Sequence, residues 1–70
     1  MAVVEIHENR PVKKWNGSGW ADTTPSSLVA TDYFRVYVED LSYYDPTRRI
    51  TSIVGMNGSN YQFDCTEEEP

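Results

Sequence analysis

Apolar and polar residues alternate with a period of two along most of this chain, and no segment sustains a helical period. In Ala2–His7, Val4 and Ile6 fall on one face and Val3, Glu5 and His7 on the other, as in a half-buried strand. Pro11 lacks a backbone N–H and suits a strand start or edge. Val12–Trp15 and Trp20–Thr23 read as the arms of a hairpin whose tip is Asn16-Gly17-Ser18-Gly19. A Gly17-Ser18 turn sets Trp15 opposite Trp20, and an Asn16-Gly17 turn sets Trp15 opposite Ser18. The two registers differ by two residues, so both leave the tryptophans on one face. The stretch 33–41 is the clearest strand, with Phe34, Val36 and Val38 alternating with Tyr33, Arg35, Tyr37 and Glu39. The first set is expected in the core. Ser42, Tyr43 and Tyr44 extend this strand before a turn at Tyr44-Asp45-Pro46-Thr47. Segments 49–56 and 61–65 form a second hairpin around Asn57-Gly58. Strict alternation there groups Ile50, Ser52, Val54 and Met56 with Tyr61, Phe63 and Cys65.

These elements predict an all-β domain, a small antiparallel meander or barrel of five to six short strands. One short helical turn near 26–31 is the most helix expected, capped by Ser26 or Ser27 and running through Leu28, Val29 and Ala30. Residues 1–66 make the domain, and 67–70 (Glu67, Glu68, Glu69, Pro70) an acidic, frayed C-terminal tail.

Length changes the picture next. A core in a chain of 70 residues supplies about 3–5 kcal/mol of net stability. One cysteine, Cys65, allows no internal disulfide, and one histidine, His7, allows no Cys/His zinc site within the chain. Aromatic packing or self-association must make up the deficit. Residues 1–10 contain no apolar export signal, and no stretch approaches a membrane span, so a soluble, cytoplasmic protein is expected. Both Asn-Gly-Ser triplets are then turn sequences rather than glycan acceptors.

The net charge is −5, all of it arising from residues 31–70, which disfavours direct nucleic-acid binding. Catalysis has little to work with. A Cys65 nucleophile needs His7 as its base, yet Cys65 shares a face with Phe63 and reads as a buried thiol. Glu39 and Asp40 are neighbours on a strand and point apart, and no calcium-loop spacing occurs. No catalytic residue, metal or cofactor is assigned.

The binding candidates are Trp15 and Trp20, the basic pair Lys13 and Lys14 beside them, and the outward-facing Tyr33 and Tyr37. Lys14-Trp15-Asn16-Gly17-Ser18-Gly19-Trp20 resembles the W-N-G-S-x-W hairpins of bacteriophage tail-fibre and other virion proteins, over about a tenth of the chain. The resemblance implies a phage-encoded accessory or structural protein, in the host cytoplasm or the virion. A non-enzymatic module acting by protein–protein contact or self-association is the leading expectation. Two alternatives stand beside it. The tryptophan tip can stack on a sugar ring, which makes a carbohydrate-binding module. Asp32, Glu39, Asp40, Asp45 and the terminal glutamates can occupy a basic groove on a nucleic-acid enzyme, which makes an acidic inhibitor.

Overall fold

A computed structural model describes residues 2–37 and 44–70. It is all-β: among the described residues six antiparallel strands make one sheet, with a single 3-10 turn. The strands are β1 (Ala2–His7), β2 (Val12–Trp15), β3 (Trp20–Thr23), β4 (Tyr33–Val36), β5 (Arg48–Asn57) and β6 (Asn60–Glu67). Their order across the sheet is β1-β6-β5-β4-β2-β3. The sheet curls until Ile6 of β1 and Val12 of β2 meet in one core with Leu28, Phe34, Val36, Ile50, Phe63 and Cys65. The alternation read in the sequence puts them there: Ile6, Phe34 and Val36 are buried as expected. Val38, Glu39, Asp40 and the proposed extension through Ser42 and Tyr43 lie outside the described residues.

Both hairpin tips are built on Gly-Ser. Trp15 pairs with Trp20 and Asn57 with Asn60, which leaves Gly17-Ser18 and Gly58-Ser59 at the turn centres. Gly17 and Gly58 both have positive φ, +101° and +65°, the region in which a Cβ is disfavoured. At the first tip the Asn16 side chain does the rest. Its Oδ1 accepts hydrogen bonds from the Ser18 N–H at 3.0 Å, the Ser18 hydroxyl at 3.2 Å and the Gly19 N–H at 3.0 Å.

Three features depart from the sequence reading. First, β5 does not alternate regularly. Ile50 opposes Cys65 but Ser52 opposes Asp64, and Ile53 opposes Phe63 but Gly55 opposes Gln62. Thr51 and Val54 are thus extra residues, and each bulge shifts the side-chain parity by one. Ile50, Ile53 and Met56 share the core-side face; Ser52 and Gly55 face away. Second, the helical turn is Pro25–Ser27, earlier than expected. Leu28 follows it in extended conformation and plugs the core. Pro25 supplies a pre-set φ at the start of the turn, and burial of Leu28 outweighs another turn of helix. Third, the C-terminal glutamates are held. Glu67 belongs to β6, the Glu68 N–H donates to the Thr47 carbonyl at 3.1 Å, and Glu68 pairs with Arg49.

Candidate functional site: an aromatic and cationic outer face

Alternation in β2 sends Val12 into the core and Lys13 and Trp15 to the opposite, outer face of the sheet. Across the ladder, Trp15 faces Trp20, and Lys13 faces Asp22 on one side and Arg35 on the other. The two indoles meet edge to face, with centroids 5.3 Å apart and planes at 62°. Both rings are half-buried, and neither belongs to the core cluster. The pair is therefore a structure on the back of the sheet, standing on a tip that Asn16 stiffens.

Arg35 links this pair to the tyrosines. Its guanidinium carbon lies 4.0 Å from the Trp20 ring centre and 4.1 Å from that of Tyr44. Its Nε donates to the Thr47 hydroxyl at 3.0 Å, and its outer nitrogen lies 3.8 Å from Glu69. Thr47 is a buried polar residue, so Arg35 satisfies its hydroxyl while stacking on two rings. Tyr44 pairs with Tyr37 through an isolated bridge, their rings 5.3 Å apart, and Lys13 sits 5.3 Å from the centre of the Tyr37 ring. The result is a continuous row: Trp15, Trp20, Arg35, Tyr44, Tyr37, Lys13. A depression of about 220 Å³ opens beside it, lined in part by Lys13, Asp22, Thr23 and Tyr37.

The residues singled out in the sequence separate into groups. Trp15, Trp20, Lys13 and Tyr37 come together on this face. Tyr37 is buried within it, and the exposed ring is that of Tyr44, 42% accessible. Tyr33 lies on the same side, opposite Arg49. Lys14 points the other way, in register with Phe34, and pairs with Asp32 at 3.4 Å. Sequence reading missed Arg35 and Tyr44. The signal for Arg35 was present, as a cation flanked by Tyr33 and Tyr37 at the alternate positions of one strand.

The one conceivable nucleophile and base are not brought together. His7 pairs with Asn60, five residues along β6 from Cys65, so the two are about 17 Å apart and on opposite faces. Burial pushes the Cys65 thiol up to about 11. Glu5, on the polar face of β1, accepts hydrogen bonds from Gln62 at 2.7 Å and Asn60 at 3.1 Å, and these hold its carboxyl below the usual range. Among the described residues no group of three or more His, Cys, Asp or Glu side chains is placed to hold a metal ion, and no helix is long and apolar enough to cross a membrane.

Fold and face together define a small curled antiparallel sheet with an aromatic and cationic outer surface. Comparison of the chain with protein-family models, with curated proteins and with solved structures gives no match in any of the three.

Proposed function

We propose that this chain is a non-enzymatic interaction module that binds a protein partner through the Trp15/Trp20 face, in the phage or virion setting that its W-N-G-S-x-W hairpin suggests. The carrying observation is that both tryptophans lie outside the core cluster, on the face of the sheet turned away from it. Trp15, Trp20 and Arg35 are partly buried and Tyr44 is exposed, and Trp, Tyr and Arg on a rigid support are the residue types that dominate binding energy at protein interfaces. Asn16 and Arg35 hold the rings in place before any partner arrives, which lowers the entropy cost of association.

The two alternatives have less support. A pyranose needs an open ring face, and one face of Trp20 is taken by the Arg35 guanidinium while the indoles stand at 62°. An acidic inhibitor needs free carboxylates, and three of those it would use, Asp32, Glu68 and Glu69, are paired with Lys14, Arg49 and Arg35, while Glu39 and Asp40 lie outside the described residues.

Affinity capture with the tagged chain tests the proposal. A protein retained by the wild type should be lost from Trp15→Ala and Trp20→Ala baits and kept by Val3→Ser, an exposed site on β1. Each tryptophan truncation should cost roughly 2 kcal/mol of binding, about thirtyfold in Kd. Identical capture by all four baits would contradict it.

A further inference from the structure

The sheet has three strand edges without a described neighbour, and they are not alike. β1 carries Glu5 and His7 along its edge, and β3 carries Asp22. The third is the distal half of β5. β4 pairs with β5 only at Arg48 and Arg49, and the loop before β4 adds two bonds to Ile50, from the Thr31 N–H and to the Asp32 carbonyl. Thr31, at φ +74°, then turns the chain away. Beyond Ile50, residues 52–57 pair with β6 on one side and, among the described residues, with no backbone on the other.

This edge is also where the apolar surface collects. Ile53, Val54 and Met56 are about half exposed, and so is Val29 in the loop that ends at Thr31. They are four of the six large apolar side chains exposed among the described residues. Ile53 and Met56 continue two rows of the core side, Val4-Phe63-Ile53 and Ile6-Tyr61-Met56. Each row runs from buried or half-buried residues out to an uncovered one. A strand laid on this edge would both complete the ladder and cap the rows.

We infer that residues 52–57 form a self-association edge, on which a second copy adds its own β5 antiparallel about a two-fold axis. Charge selects the occupant. From Ile50 to Asn57 the chain carries no ionisable side chain, whereas the whole carries a net charge of −5. Two copies meeting at the β1 or β3 edge bring the ionisable groups Glu5 and His7, or Asp22, to the seam. Two copies meeting here oppose none in any register. The bulges at Thr51 and Val54 interrupt the ladder, so the dimer is a transient one rather than an obligate one. This surface is separate from the tryptophan face, and the inference does not depend on that reading.

Light scattering on the full chain, from about 1 µM to about 1 mM, tests it. The wild type should pass from monomer to dimer mass. The Val54→Lys/Met56→Lys variant should stay monomeric throughout, with an unchanged circular dichroism spectrum, and Trp20→Ala should still dimerise. A wild type that stays monomeric, or a lysine variant that dimerises equally, overturns the proposal. Hydrogen exchange on the wild type decides the matter if the lysine variant does not fold. Amides in 52–57 should slow several-fold as concentration rises, and concentration-independent rates there would overturn it.

Discussion

Phe34→Ala should leave the chain unfolded in water at 25 °C. Phe34 is fully buried, stacks obliquely on Phe63 with centroids 6.1 Å apart, and sits where β4 crosses between β2 and β5. Truncating a buried phenylalanine costs about 3–5 kcal/mol, through lost transfer energy and the cavity left behind. That equals the roughly 3–5 kcal/mol that a core of this size provides in total. β4 is in ladder register with β5 at only two positions, Tyr33 with Arg49 and Phe34 with Arg48, so the core beneath them carries much of the connection between the β2–β3 and β5–β6 hairpins. Near-ultraviolet circular dichroism should show loss of the aromatic signal. The milder Ile50→Val, at a site equally buried, should cost about 0.5–1.5 kcal/mol and still melt cooperatively. A Phe34→Ala protein with a native near-ultraviolet spectrum and an unchanged melting temperature would refute this assignment of the core.

The second large effect is expected at Arg35, a charged residue on the outer face. Arg35→Ala removes two cation–π contacts and leaves the buried Thr47 hydroxyl without its donor. The combined cost is about 2–3 kcal/mol, since stacking on each ring contributes roughly 0.5–1 kcal/mol and an orphaned buried hydroxyl roughly 1 kcal/mol or more. For a domain of this size that lowers Tm by roughly 10–20 °C. Arg35→Lys keeps the charge but not the planar fork that stacks and donates at once, so it should recover less than half of the loss. A lysine variant as stable as the wild type would show that charge alone matters there.

Much of the fold was legible because alternation and turn chemistry agree. Two Asn-Gly-Ser tips with strand patterns on both sides leave few registers, and those few share the same faces. The β5 faces were not legible by strict alternation. Ile50, Ile53 and Met56 recur every third residue, and in a strand that spacing shares a face only if a bulge falls in each interval. Gly55, inside a strand at φ +142°, was the available local sign of irregular backbone. The short turn was displaced because Leu28 gains more from the core than from helix, a tertiary effect with no local signature. The acidic tail was read as loose because its partners, Arg35 and Arg49, lie 19 or more residues away in sequence.

The candidate site divides in the same way. That Trp15 and Trp20 share a face followed from either turn. That the face lies outside the core needed the packing, since Val12 and Trp15 project from opposite sides of β2 and Val12 is the one buried with Phe34 and Ile50. Lys13 and Lys14 look like one basic cluster in the sequence, and a strand sends them to opposite sides. Arg35 was not singled out because a stacked guanidinium and an exposed one have the same local pattern.

The tryptophan pair stands on the outer face of the sheet, outside the core cluster that folds the domain. Equilibrium urea unfolding of Trp15→Ala and Trp20→Ala, followed by far-ultraviolet circular dichroism, tests it most directly. Each variant should show one cooperative transition, a wild-type m-value and a loss of about 1–2 kcal/mol from the edge-to-face and cation contacts. Two variants already unfolded without urea would place the pair in the core and contradict it.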